Sequence, residues 1–493
     1  MRTFHRLAVL VSAFVLAGSV VGCDEGETPD PGPLGGEGGE GGSPNVEPAD
    51  GMAMVRIVHG SSDAPAVDIW ANGAVLVENI KFGDASEWIN VPPGSYDLEI
   101  KAAGSSMSEP AVYTVSGLML AEGEKLSAVA AGLLTSTADA NKFRVLAVRE
   151  AFSPAGSGNA VLRVIHASPD APTVGIDLHN DDPSAPELSN IDRFGTTAEA
   201  GFPLTAGEEL QIGVAAGGQT VTAFTTPELP EGAEILVIAT GLVAEKADEA
   251  DGFSLLAIGP TGALGFVKQN PFVYALHASP NAPAVDLYAG DAKLAGGLSF
   301  GNLAGPVQVP PADYKIDFRP AGADPTSAPA ASAQTGAIAA GGTYLTIADG
   351  FLGGSGEQAF RLISLQEQFA DGSPDSALAR VVHGAPDAPK VDLGVLNVEG
   401  VVSPVLIPDL SFGDATGPEG LDLGIGTLPL GVTPADANST VVASFHVTTA
   451  AGLRAFAIAS GALSSEKGES FRLLVVDTAT SPWSVATIHP QPQ

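Results

Sequence analysis

One histidine and two carboxylates held in a short turn could ligate a divalent metal or orient a hydrolytic water. The stretch His59-Gly60-Ser61-Ser62-Asp63-Ala64-Pro65-Ala66-Val67-Asp68 offers that set, and it recurs three times. The second copy carries His166, Asp170 and Pro172, with its later carboxylate displaced to Asp177. The third carries His277, Asn281, Pro283 and Asp286, and the fourth His383, Asp387, Pro389 and Asp392. Asn281 removes one carboxylate from the third set, which weakens a metal or catalytic reading. A structural reading has a complete mechanism. Asp63 can accept from turn N–H groups, Pro65 fixes φ, and His59 can donate from its ring to a backbone carbonyl. A pattern present in every copy suits a fold constraint better than four active sites. We therefore expect these sixteen residues to pin turns, with no catalytic residue, metal ligand or cofactor among them.

Each motif histidine ends an apolar, largely β-branched run such as Val55-Arg56-Ile57-Val58. Asp68-Ile69-Trp70 reads as a second strand, and Asn72-Gly73 as a type I′ hairpin turn. Tyr96-Asp97-Leu98-Glu99-Ile100-Lys101 alternates with a period of two, the mark of a half-buried antiparallel strand. Further landmarks recur in the same order. Phe82-Gly83 returns as Phe194-Gly195, Phe300-Gly301 and Phe412-Gly413, and Gly132 as Gly241, Gly350 and Gly461. Closing strands begin near Phe143, Phe253, Phe360 and Phe471. The repeat is thus a module of about 110 residues, large enough for its own core without disulfides. Many short strands and Pro/Gly turns, with no convincing long helix, predict an all-β chain of four tandem antiparallel β-sandwich domains of immunoglobulin- or transthyretin-like kind. The modules are expected at residues 51–153, 154–268, 269–375 and 376–493.

Ahead of them, residues 1–23 combine a basic start, an apolar run from Leu7 to Val21 and Gly22-Cys23. The run is short for a spanning helix, and no basic stop-transfer residues follow, so it reads as a signal peptide. Cys23 is the single cysteine of the chain, and the small residue before it matches a lipoprotein box, making Cys23 the expected lipidation site. Residues 24–50, rich in Gly, Pro and acids, read as a disordered acidic tether. Its Gly36-Glu37-Gly38-Gly39-Glu40-Gly41 fits a dinucleotide-binding glycine pattern but lacks the flanking strand and helix that pattern needs.

The chain has 22 basic against 57 acidic side chains, a formal charge of −35. That field repels nucleic-acid phosphates and excludes a basic nucleic-acid footprint. No zincin, Cys-x-x-Cys or phosphate-loop motif is present, and Gly353-Gly354-Ser355-Gly356-Glu357 fails the nucleophile-elbow pattern at its last position. Trp70 and Trp88 are the candidates for stacking a sugar, although strand-like surroundings favour core packing for both. Among acidic loops, Asp248-Glu249-Ala250-Asp251-Gly252 is only a loose match to a calcium loop.

The apolar strand ending in His, the Pro-Asp-Ala-Pro turn with Val-Asp, the Phe-Gly and the Pro92-Pro93-Gly94-Ser95-Tyr96 strand together resemble the domain-of-unknown-function 4397 family. The resemblance covers nearly everything from Met52 onward. It implies exported β-rich modules, often in tandem, and carries no established activity. The expectation is a non-enzymatic lipoprotein of the bacterial cell envelope, exported and held at a membrane through the lipid on Cys23, with which membrane and which face left open. Its tandem modules would serve adhesion, display or scaffolding toward an envelope protein or polysaccharide. The alternative is an extracytoplasmic binding protein for a glycan or divalent cation, acting through loops at module ends.

Overall fold

The computed structural model describes residues 46–370 and 375–492. The expected signal peptide, Cys23, most of the tether and residues 371–374 lie outside the described residues. Within them the chain is all-β, and no helix is long and apolar enough to cross a membrane.

The first module runs β1 (Ala53–His59), β2 (Val67–Ala71), β3 (Ala74–Ile80), β4 (Ile89–Val91), β5 (Gly94–Ala102), β6 (Tyr113–Leu120), β7 (Lys125–Ala131) and β8 (Arg144–Arg149). They form two sheets, β4-β1-β7-β8 and β3-β2-β5-β6. Every neighbouring pair is antiparallel except β1 and β7, which run parallel at the centre of the first sheet. A parallel pair needs a long crossover, and here the crossover is the whole second sheet. The motif between β1 and β2 carries the chain from one sheet to the other. Asn72 and Gly73 turn β2 into β3 with φ of 48° and 81°, as the type I′ signal requires.

The same pair of sheets, with the same parallel centre, recurs in the other three modules. The strands equivalent to β1 are Asn159–His166, Phe272–His277 and Leu378–Gly384. The Ala-rich stretch after Ala328, which shows no helical stripe, forms the strand Ala331–Ile338. The β5 counterpart of the fourth module, hard to recognise in sequence, is Gly426–Pro434. The second and fourth modules each add a fifth strand to the β1-type sheet, Gly262–Lys268 and Ser484–Ile488.

Each sandwich encloses a core by strand alternation. In the first module Val55, Ile57, Ile69, Leu98, Ile100, Leu126 and Ala128 interdigitate between the sheets. The other face of β1 and β7 is also apolar and also buried. Val58, Val129, Ala131 and Val148 pack against Ile165, Leu236, Ile238, Leu256 and Ile258 of the second module. Leu276, Leu345 and Ile347 of the third module meet Val382, Phe456, Ile458 and Leu474 of the fourth in the same way. A sheet covered on both faces explains why β1 is buried along its whole length. The four modules are therefore two face-to-face pairs.

Arginine holds the same place on most of these seams. Arg56 donates to the Gly259 carbonyl of the second module at 2.6 Å, and Arg163 to the Arg149 carbonyl of the first. Arg380 of the fourth module donates to the Gln366 carbonyl of the third at 3.0 Å. At the corresponding position the third module has Tyr274, whose ring stacks on Trp483 at 4.2 Å. Trp483 leads into the extra strand of the fourth module. The extra strand of the second supplies Phe266, 5.3 Å from Phe82 of the first.

Candidate functional site

The four motif histidines occupy one environment. His59, His166 and His277 are 1 % exposed and His383 is 2 %. Each Nε2 lies within hydrogen-bond distance of the carbonyl of its own motif proline: Pro65 at 3.2 Å, Pro172 at 2.8 Å, Pro283 at 3.1 Å and Pro389 at 3.0 Å. A carbonyl only accepts, so Nε2 carries a proton in each ring, and at His383 Nδ1 accepts from Ala385 N at 3.4 Å, as the neutral Nε2–H tautomer requires. Burial pushes all four imidazoles below their ordinary range, against the smaller opposing pull of that carbonyl. The backbone at the histidine is tied as well: its carbonyl accepts from Gly83, Phe194, Gly301 or Gly413 in turn.

The first acidic position reaches away from the histidine. Asp63 accepts from Leu134 N at 2.7 Å, Thr135 N at 2.8 Å and Thr135 Oγ1 at 2.7 Å. Burial opposes its ionisation, but these donors outweigh burial and hold the carboxyl below its usual range. Asp170 accepts from the N–H groups of Val243 and Ala244, and Asp387 from those of Leu463 and Ser464. Asn281 keeps the contact by a reciprocal pair, accepting from Leu352 N at 2.7 Å and donating to Leu352 O at 3.0 Å. This is why an amide can replace the acid. The loop so held follows a glycine in left-handed conformation. Gly132 has φ of 79°, and a Cβ there would stand 2.4 Å from the Lys142 carbonyl. The same crowding holds at Gly241, Gly350 and Gly461.

The second acidic position is a separate clamp. Asp68 accepts from Asn79 N at 2.7 Å and Gly104 N at 2.8 Å. Asp286 accepts from Gly297 and Gly322, and Asp392 from Asp409 and Asp436. All six donors have positive φ, so this aspartate fixes a bulge on one side of its strand and a left-handed turn on the other. Lys293, at 2.8 Å, joins the two backbone donors in holding Asp286 down to about 2.

The second module departs from this plan. Its strand pairing places Gly175 where the others have the second aspartate, and Asp177 two residues further on, still on the same face. Asp177 is buried, with Oδ1 accepting from Asp181 N and Asp182 N at 3.3 and 3.4 Å. The Phe-Gly landmark is also offset. Phe194, not Gly195, bonds the histidine carbonyl and takes the left-handed φ of 63° that glycine takes elsewhere. Arg193 stands in the phenylalanine position, donating to Ala171 O and to Asn141 of the first module.

Among the described residues, the His, Asp and Asp of a motif do not converge on a shared ligand position. Trp70 is buried under Lys101, and half-buried Trp88 lies beneath Arg56 and Lys125. Sequence reasoning missed Ser61 and Ser279, which donate to the Gly132 and Gly350 carbonyls. Their recurrence within the motif was the available signal. It also missed a cluster of Asp177, Asp181 and Glu187, which no spacing rule marks.

The family model described as "Domain of unknown function (DUF4397)" matches residues 53–177 and 271–394, just over half of the chain. The chain belongs to the DUF4397 family. Each match opens at the first strand of one module of a pair and runs through the turn motif of the other. No curated protein matches the chain. Matches among solved structures include the Bacillus anthracis TIE protein, at 12 % identity, covering 55 % of this chain and 46 % of that one with a TM-score of 0.12.

Proposed function

We propose that this DUF4397 chain is a non-catalytic lipoprotein of the cell envelope, exported, anchored through Cys23 and presenting two module pairs for adhesion, display or scaffolding. The observation that carries the non-catalytic reading is the histidine. All four are buried and hold the proline carbonyl of their own turn through Nε2, and the first-position acids Asp63, Asp170 and Asp387 are committed to backbone N–H groups. A general base or metal ligand needs a free nitrogen or oxygen facing substrate. The turn motif is on this reading a sheet-to-sheet clamp, and function belongs to surfaces that differ between modules. An envelope protein or polysaccharide is the partner such a display would take.

The anchor is tested in cells fed labelled palmitate with and without globomycin. Label on the full chain, lost in Cys23→Ala, and a precursor that accumulates under globomycin are the expected results. An unlabelled chain with unchanged processing contradicts the anchor.

A further inference from the structure

We propose that the second module binds one calcium ion through the carboxylates of Asp177, Asp181 and Glu187. This deepens the cation alternative raised by the acidic sequence and is independent of the display reading. It also departs from the expectation that the chain has no metal ligand. The three side chains each offer an oxygen, and these oxygens lie within 4.8 Å of one another. Calcium binds oxygen at 2.3–2.6 Å, so oxygens on opposite sides of one ion stand up to about 5 Å apart. The cluster lies within that span. Magnesium demands near-ideal octahedral geometry at 2.0–2.1 Å and gives up its waters reluctantly, so a cage of several carboxylates suits it less well.

The second observation is Asp177 itself. It is 1 % exposed, and its Oδ2 is buried without a hydrogen-bond partner. A buried carboxylate oxygen with no donor is costly unless a cation meets it. The sister modules show how their own second-position aspartates, two residues earlier in the strand, are satisfied. Asp68, Asp286 and Asp392 place both oxygens on backbone N–H groups, and Asp286 has Lys293 besides. Asp177 has two long bonds to one oxygen only, and two further carboxylates stand beside it. Among the described residues, no lysine or arginine pairs with any of the three. Three carboxylates gathered without a cation repel one another, and a divalent ion reverses the sign of that interaction.

The local chain explains how the set is assembled. A Cβ on Gly175 would stand 2.4 Å from Pro186 Cγ, so glycine there lets the end of the loop lie against the strand. Glu187 follows directly, its Oε2 accepting from Leu178 N at 2.8 Å, which holds it next to Asp177. Backbone carbonyls of the loop and water would complete the six to eight oxygens that calcium takes.

The test is calorimetric titration of the full chain, freed of metal on a chelating resin, with calcium chloride and separately with magnesium chloride. One site is expected for calcium, at or below the roughly 10⁻⁴–10⁻³ M range of extracellular modules, and at least tenfold weaker binding of magnesium. The double variant Asp181→Asn/Glu187→Gln should lose calcium affinity at least tenfold. Glu245→Gln/Asp248→Asn, which removes two charges from another loop, should leave it unchanged. Hydrogen exchange of residues 178–187 should slow with calcium in the parent chain and not in Glu187→Gln, a readout that holds if the double variant folds poorly. Equal titrations for parent and double variant, no saturable heat up to millimolar calcium, or slowed exchange persisting in Glu187→Gln would overturn the site. Equal affinity for magnesium would overturn the choice of calcium. The palmitate experiment is unaffected by any of these outcomes.

Discussion

The contact within a pair and the contact between pairs are made of different material. Modules one and two share a dry layer of Val58, Val129, Ile165, Leu236, Ile238 and Ile258, and modules three and four an equivalent one. Modules two and three meet through the connector Gln269-Asn270. There Thr225 donates to Asn270 Oδ1 at 2.7 Å, Gln308 Nε2 to the Asn270 carbonyl at 2.9 Å, and Lys246 reaches Glu367 at 2.8 Å. Apolar burial contributes about 25 cal/mol per Å² removed from water, whereas a net hydrogen bond contributes only ~1 kcal/mol. The seams should therefore open only with unfolding, and the polar joint should yield first. A four-module chain is in this respect a dimer of two-module units, and the span of each family match follows the same division.

That contrast can be broken from the apolar side. Ile238→Asp sets an unpaired charge in the first seam and should cost more than about 4 kcal/mol, while Leu474→Ala in the second should cost about 2–5 kcal/mol. Urea titration followed by tryptophan fluorescence measures both, and each variant should weaken the whole of its own pair. A pH titration gives the next largest effect. The four histidines have folded values below their unfolded value, so stability is full above about 6.5 and is lost as pH falls toward the folded values. Within that window each protonation weakens its module by about 1.4 kcal/mol per pH unit, read as a falling Tm.

A smaller effect sharpens the equivalence of the two seams. Thr240 donates across the first to Gly60 O at 2.7 Å, and Ser460 across the second to Ala278 O at 3.0 Å. Asp349 holds the corresponding strand position, fully buried, with Oδ2 close to Gly384. Burial pushes its carboxyl well above the usual range, so the folded protein must keep a proton that the unfolded chain releases. Its penalty is absent at acid pH and grows as pH rises above the unfolded value. Asp349→Thr should therefore stabilise the second pair by on the order of 1–3 kcal/mol at neutral pH, and by less at pH 4. The smallest effect belongs to the joint. Lys246 is 54 % exposed in its pair with Glu367, and Lys246→Ala should cost under about 1 kcal/mol and leave both seams intact.

Strand, turn and repeat were legible in the sequence because each has a local cause. Alternation at Tyr96–Lys101 reports one buried face, Asn72-Gly73 reports its turn, and the His–Pro spacing reports the clamp. The pairing was less legible, since a valine facing a seam looks the same as one facing a core. The signal was the run Ala53-Met54-Val55-Arg56-Ile57-Val58, which apart from Arg56 is apolar on both faces, too apolar for a sheet with one wet face. The β6 strand was missed because its register shifts near Gly117, whose φ is 70°, which interrupts the alternation. In the second module, matching by letter aligned Phe194 with Phe82 and Asp177 with Asp68. Hydrogen bonds and register move the first by one residue and the second by two, a difference that only backbone pairing reveals.

The central claim, that the repeated histidine closes a turn and does no chemistry, is tested most directly by nitrogen NMR of the imidazoles, the four motif signals assigned by single His→Gln variants. All four should show a protonated Nε2 and a bare Nδ1 at pH 7, titrate only below the ordinary histidine range, and ignore added zinc. A motif imidazole that titrates near 6.5, or whose nitrogen binds added zinc, would contradict the account.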